Sequence, residues 1–103
     1  MNTRNLIVAF ALATLGLPVA AADELALAQK SGCLACHAVD KKVVGPAYKD
    51  VAAKYRGDKN VHLKLEEKVK KGGVGVWGQV PMTPNSQVSD ADIKKLVAWV
   101  LSL

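Results

Sequence analysis

Side chains that carry redox or metal chemistry are scarce in this chain. Its 103 residues include two cysteines, two histidines and two methionines, and its aromatic residues are two tryptophans, two tyrosines and one phenylalanine. Two cysteines cannot build the framework of several disulfides that stabilises many small exported domains. Both cysteines and one histidine fall within residues 33–37, the segment CLACH. Any chemistry that needs sulfur beside imidazole is therefore concentrated in this segment.

The chain also lacks an apolar run long enough to span a membrane. Its most apolar stretch, residues 6–17, is shorter than the roughly 20 residues that a transmembrane helix needs. Arg4 precedes this stretch and small residues follow it, which is the pattern of a secretory signal peptide. The sequence predicts a signal peptide at residues 1–21, cleaved after Ala21 or Ala22, and an exported protein without stable membrane insertion.

The residues after the predicted cleavage site, 22–103, suffice for one domain. Lysine and arginine outnumber aspartate and glutamate by 14 to 9 in the whole chain, which gives a formal net charge of +5. In an exported protein, this excess favours acidic protein partners or membrane surfaces, and we expect no nucleic-acid binding. A domain of this size buries a small core, so we expect a cofactor or a cross-link to support it.

Alternation of apolar and polar residues, which is typical of a half-buried strand, is absent over any useful length. Helical spacing is present in residues 25–28, 50–55 and 60–71, and residues 74–87 form a loop rich in glycine and proline. A last helix begins after Ser89, and its apolar residues recur every three or four positions. The sequence therefore predicts an all-α domain of about four short helices.

The spacing Cys33-x-x-Cys36-His37 admits four interpretations. A disulfide between the two cysteines would close a very small loop and would stabilise the fold little. A thioredoxin-like dithiol needs a βαβ scaffold, and a zinc site needs four ligands, for which His62 is the only further histidine. Covalent haem attachment uses all three side chains, because each thiol forms a thioether with a haem vinyl group and the adjacent His37 becomes an axial ligand. The motif favours this fourth interpretation.

The second axial position decides between electron transfer, which needs it filled, and ligand binding or catalysis, which needs it open. Once the predicted signal peptide is removed, Met82 is the remaining methionine, and it lies between Pro81 and Pro84. Prolines stiffen this loop and suit it to aiming a thioether. The rival ligand is His62, near the start of a lysine-rich helix. We predict that Met82 fills the position, because a His/Met pair is typical of electron-transfer haem proteins. A haem-based sensor or a small peroxidase-like enzyme with a labile Met82 is the alternative.

Beyond the CLACH segment, further stretches of the chain match a known family. They lie at residues 44–52 (VGPAYKDVA), 75–78 (GVWG), 81–82 (PM) and 99–102 (WVLS). On these stretches the chain resembles, almost end to end over residues 22–103, the small bacterial class I cytochromes c of the c-551/c-552 type. The resemblance implies a class I cytochrome c fold, in which the helices wrap around one covalently attached haem c.

The resemblance also implies a function, that of a periplasmic carrier of single electrons rather than an enzyme. Its iron would cycle between Fe(II) and Fe(III), and its partners would be redox proteins such as a nitrite reductase, a terminal oxidase or a quinol-oxidising complex. We expect the carrier to be a monomer. Five lysines form either a solvated face or a docking surface for such partners: Lys30, Lys41, Lys42, Lys49 and Lys54.

Three further residues receive roles from the resemblance alone. It implies that the carbonyl of Pro46 accepts a hydrogen bond from the axial imidazole, that Trp77 donates a hydrogen bond to a haem propionate, and that Asn85 contacts the sulfur region of Met82. The family usually has a proline where this chain has Thr83. This difference bears on the stiffness of the loop and not on the iron ligand itself.

Overall fold

Four α-helices and one small sheet make up the described part of the chain. The computed structural model describes residues 23–103, and the predicted signal peptide at residues 1–21 lies outside them. The helices are α1 (Leu25–Lys30), α2 (Tyr48–Tyr55), α3 (Val61–Lys71) and α4 (Asp90–Leu101). A 3-10 helix occupies Cys33–Ala35, and the two strands are β1 (Gly73–Gly75) and β2 (Gly78–Met82). Among these residues, no helix combines the length and the apolar character needed to cross a membrane.

Helix α4 lies at the centre of the packing. Its predicted cap is present, because the side-chain oxygen of Ser89 accepts a hydrogen bond from the backbone N–H of Asp92 at 3.2 Å. The predicted apolar stripe of α4 is buried except for Leu101, which is partly buried, and it packs against α1, α2 and α3. The buried members of α4 are Ile93, Leu96, Val97, Trp99 and Val100. The other helices are therefore held together through α4.

Tyr48 joins α2 to this core. Its ring meets Trp99 of α4 edge-on, with ring centroids 5.6 Å apart and an interplanar angle of 77°. Its backbone N–H donates a hydrogen bond to the carbonyl of Ala38 at 2.9 Å. Because these contacts fix Tyr48, α2 begins at this residue rather than at Asp50, where sequence spacing predicted its start.

The predicted loop at residues 74–87 contains a β-hairpin, so this part of the prediction is wrong. Strands β1 and β2 pair antiparallel, with Gly73 opposite Met82 and Gly75 opposite Gly78. The sequence of β1 is GVG, and a strand with one side chain other than hydrogen carries no alternating pattern. The hairpin is formed by backbone pairing, and it places Met82 at the end of β2.

The cap of α4 is a test of how much this helix contributes to stability. Ser89→Ala removes the hydrogen bond to the first turn, and we expect it to lower the free energy of unfolding by about 1 kcal/mol. The measurement is the loss of helical circular dichroism in denaturant. Ser86→Ala, in the exposed turn before α4, is the matched control and should leave the midpoint unchanged. Equal losses in both variants would contradict a capping role for Ser89.

Candidate haem site

One cleft brings together the side chains that the sequence analysis selected. It has a volume of about 220 Å³ and lies between the CLACH segment, α2, α3, the hairpin and α4. The seven predicted site residues all line it: Cys33, Cys36, His37, Pro46, Trp77, Met82 and Asn85. The rival ligand His62 is exposed on α3 and is not part of the lining. The fold therefore groups Met82, and not His62, with the CLACH segment.

The two thiols of the CLACH segment differ in exposure. Cys33 begins the 3-10 helix and is half-buried, whereas Cys36 is exposed. The backbone carbonyl of Cys33 accepts hydrogen bonds from the N–H groups of Cys36 at 3.2 Å and His37 at 3.0 Å, so the segment forms a tight turn. Burial raises the pKa of the Cys33 thiol, and a hydrogen bond with Tyr48 opposes part of this effect. At neutral pH the free thiol of Cys33 is therefore protonated.

Three neighbours hold the imidazole of His37. Its Nδ1 lies 2.8 Å from the carbonyl oxygen of Pro46. Because a carbonyl oxygen only accepts, the neutral form of the imidazole carries its proton on Nδ1 and its free lone pair on Nε2. The ring of Tyr48 stacks on the imidazole with centroids 4.9 Å apart. Gly45 approaches so closely that a Cβ there would lie 2.5 Å from Cε1 of His37. Tautomer and orientation are thus fixed, and one ring nitrogen is available to bind a metal.

Met82 reaches the cleft from the end of β2 and is half-buried. Asn85 ties the chain beyond it to α3, because its backbone N–H and its side-chain amide both donate hydrogen bonds to the carbonyl of Val69, at 3.1 and 3.0 Å. The same amide lies 3.2 Å from the carbonyl of Thr83. These hydrogen bonds of Asn85 go to backbone carbonyls, so the side chain fixes the path of the Met82 loop.

Trp77 lies at the rim of the cleft and is 43% exposed. The ammonium group of Lys54 lies 5.4 Å from the centroid of its indole ring, within the range of a cation–π contact. Lys68 also lines the cleft. An indole N–H donor with the positive charge of Lys54 beside it suits carboxylate groups such as haem propionates.

Several of these contacts were missed by the sequence analysis. Three of them leave no periodic signal in the sequence: the stacking of Tyr48 on His37, the close approach of Gly45 and the cation–π contact of Lys54. The double acceptor role of the Val69 carbonyl has no signal in the sequence either, because every residue type offers a backbone carbonyl.

The lining of the cleft fits a large apolar disc. Eight large apolar side chains are exposed within residues 23–103, and five of them line the cleft: Val44, Val74, Val76, Trp77 and Val80. Exposed apolar surface gathered in one concave region marks a binding site. Two thiols, an imidazole nitrogen and a thioether sulfur are the groups that hold haem c. Within the described residues no group of three or more His, Cys, Asp or Glu side chains could hold a metal ion.

Comparison with known proteins agrees with this assignment of the cofactor. A family model described as Cytochrome c matches residues 22–103. Cytochrome c-551 of Allochromatium vinosum is 64% identical over 86 residues, covering 84% of this chain and 90% of that protein. Cytochrome c-552 of Nitrosomonas europaea is 53% identical over 95 residues, covering 92% of this chain and 89% of that protein. The crystal structure of wild-type Nitrosomonas europaea cytochrome c552 matches with a TM-score of 0.72 at 55% identity, over 74% of this chain and 94% of that one.

The match extends over the whole described fold and includes the CLACH segment, so the predicted fold class and the predicted cofactor, haem c, are both confirmed. The relatives are named cytochrome c-551 and cytochrome c-552, as the resemblance of the sequence had indicated. The chain therefore belongs to the cytochrome c family, as a small class I c-type cytochrome that carries electrons.

Proposed function

We propose that this cytochrome carries single electrons in the periplasm, with haem c attached through Cys33 and Cys36 and with His37 and Met82 as the axial ligands of the iron. One observation carries the proposal: the four side chains line a single apolar cleft, although Met82 comes from a hairpin far along the chain. The position of His62 on the exposed side of α3 supports the choice of Met82 as the second ligand.

The two ligands differ in chemistry and act together. When bound, the haem supplies an iron that alternates between Fe(II) and Fe(III). His37 offers Nε2, because its Nδ1 donates a hydrogen bond to the carbonyl of Pro46. Met82 offers a soft sulfur that favours the ferrous state. With haem in the cleft, the apolar lining would keep water away from the iron, so its surroundings would need little rearrangement when its charge changes.

The remaining site residues orient the ligands and the cofactor. Pro46 fixes the imidazole by its carbonyl, and Asn85 fixes the loop that follows Met82 by its hydrogen bonds to the end of α3. Trp77 offers its indole N–H to a propionate, and the ammonium group of Lys54 above its ring adds positive charge to that rim. These roles keep one geometry in both oxidation states, which fast electron transfer requires.

The signal peptide predicted at residues 1–21 supports export to the periplasm. As a monomeric carrier, the protein would exchange electrons with a nitrite reductase, a terminal oxidase or a quinol-oxidising complex. We assign the contact with such partners to the lysine-valine loop, residues 41–44. Val43 and Val44 are 46% and 48% exposed, and the backbone N–H of Val44 donates a hydrogen bond to the carbonyl of the exposed Cys36 at 3.1 Å.

The distribution of positive charge also supports the lysine-valine loop as the docking surface. Lys41 and Lys42 directly precede the two valines, so the loop presents an apolar patch beside positive charge. Lys49, by contrast, forms an ion pair with Asp40 at 2.7 Å, which offsets its charge. An apolar patch with a positive rim fits a partner whose docking surface is apolar at the centre and acidic around it.

Covalent attachment predicts that the thiols are needed for the fold as well as for the cofactor. We expect Cys33→Ala combined with Cys36→Ala to abolish haem colour on a denaturing gel and to remove most of the helical circular dichroism. The physical reason is that a chain of this size lacks a sufficient core without the macrocycle. Ala35→Ser, an exposed position between the two cysteines, is the control and should keep both signals. A double variant with native helical content and no haem would contradict this prediction.

The role of Met82 as second axial ligand distinguishes an electron carrier from a haem protein that binds small ligands. We expect Met82→Ala to keep covalent haem and fold but to lose the weak near-infrared sulfur-to-iron band, to fall in reduction potential and to bind carbon monoxide when ferrous. Axial ligands are among the main determinants of a range of about 0.8 V in haem potentials. Met82→His should also fall in potential, because nitrogen is a harder ligand than sulfur, but should exclude carbon monoxide.

The neighbouring Thr83→Ala is the control, since the hydrogen bond from Asn85 goes to the Thr83 backbone carbonyl and survives the change. It should retain the sulfur-to-iron band. If the unmutated protein lacks this band and binds carbon monoxide readily, Met82 is not the ligand, and a haem-based sensor or a small peroxidase-like enzyme becomes the better assignment.

The lysine-valine loop predicts a dependence on ionic strength. Oxidation of the ferrous protein by ferricyanide, an anionic acceptor, should slow as salt rises, because screening reduces the range of charge to about 8 Å at physiological ionic strength. Lys41→Glu with Lys42→Glu should slow it several-fold at low salt. Lys94→Glu with Lys95→Glu changes the same charge on exposed positions of α4 outside the cleft, and should have a smaller effect. Equal slowing by both pairs would mean that the rate depends on the net charge of the protein and not on this loop.

A further inference from the structure

Gly72, which ends α3, has a backbone conformation that other residues rarely adopt. Its φ is +71° and its ψ is −166°, a region that is essentially restricted to glycine. Its backbone N–H donates a hydrogen bond to the carbonyl of Lys68 at 2.8 Å, which closes the last turn of the helix. The chain can therefore leave α3 in this direction only because residue 72 has no side chain.

The space beside Gly72 is filled by the backbone that carries Met82. A Cβ at residue 72 would overlap the carbonyl oxygen of Met82, and it would lie 2.9 Å from the nitrogen of Pro84 and 3.1 Å from the carbonyl carbon of Thr83. These are main-chain atoms, so no side-chain rotation would relieve the overlap. The segment 82–84 thus packs directly against the end of α3.

Two further contacts hold the same segment. In the hairpin, Gly73 pairs with Met82, and Asn85 donates two hydrogen bonds to the carbonyl of Val69 on α3. The segment is therefore fixed before and after Met82, and Gly72 determines how closely it approaches the helix. The position of the Met82 backbone in turn determines where the thioether lies in the cleft.

We propose that Gly72 is a positioning residue for Met82, whose lack of a side chain sets the distance between α3 and the backbone of the sulfur ligand. This inference rests on the proposed role of Met82 as an axial ligand. A methyl group at residue 72 forces the Met82 carbonyl away by roughly 1 Å to restore van der Waals separation. A displacement of this size is enough to loosen a preorganised site. The thioether is then the ligand that dissociates more easily.

Gly57 provides a matched control within the same chain. Its φ is +86°, so alanine there is also strained, but a Cβ at residue 57 would have nothing within 4 Å. Gly57→Ala thus introduces unfavourable φ without steric overlap. The comparison separates a general loss of stability from a specific effect on Met82.

The experiment uses the purified haem protein and its Gly72→Ala and Gly57→Ala variants. We expect the ferric Gly72→Ala protein to lose at least half of the sulfur-to-iron band and to bind imidazole, which competes with the sulfur, about tenfold more tightly. Gly57→Ala should keep the band and the imidazole affinity of the unmutated protein, even if its thermal midpoint falls. An unchanged band and an unchanged imidazole affinity in folded Gly72→Ala would overturn the inference.

Two other outcomes are also decisive. If the unmutated protein has no sulfur-to-iron band, the proposed ligand is wrong and the inference falls with it, whereas a band that survives in Gly72→Ala overturns the inference alone. If Gly72→Ala is unfolded, the measurement is repeated in trimethylamine N-oxide, which favours compact states. A variant that stays unfolded there while Gly57→Ala folds would assign Gly72 to the fold as a whole and would overturn a role specific to Met82.

Discussion

Burial of the apolar stripe on α4 is the constraint on which the rest of the structure depends. The stripe packs against the three other helices, and three of its members, Leu96, Val97 and Val100, also line the cleft. Core and site therefore share one helix face. A change that rotates or shifts α4 would open the core and reshape the cleft together, and a cofactor in the cleft would complete the burial that the helices begin.

The two proposed iron ligands reach this cleft by different means. His37 belongs to a tight turn and is oriented by side-chain and backbone neighbours, with Gly45 packed against its ring. Met82 lies at the end of a strand, and its backbone is held by the pairing of the hairpin, by Asn85 and by the close approach of Gly72. In both cases a glycine allows backbone to approach where a larger residue would not fit. Rigid placement from two independent segments suits an iron that must keep its ligands when its charge changes.

Local patterns and the CLACH motif predicted most of the fold and the core of the site. The period of α4, its Ser89 cap and the spacing of the cysteines are all properties of neighbouring residues, so they can be read along the chain. Met82 was proposed as a ligand by elimination, because few candidates exist. The hairpin was missed because three glycines and Pro81 leave no alternating pattern in its strands. The Gly72–Met82 approach and the double use of the Val69 carbonyl were missed because tertiary packing brings these backbone groups together.

Because the hairpin places Met82 far along the chain from His37, the proposed ligation also affects the free energy of unfolding. His37 and Met82 enclose more than half of the described chain, so an iron bound to both acts as a cross-link that restricts the denatured ensemble, as a disulfide does. Sulfur favours the ferrous ion, and this cross-link is therefore stronger in the reduced protein. By linkage, a ligand that raises the reduction potential also makes the free energy of unfolding larger for the ferrous form than for the ferric form. With His37 and Met82 as the ligands, reduction of the iron would therefore stabilise the fold.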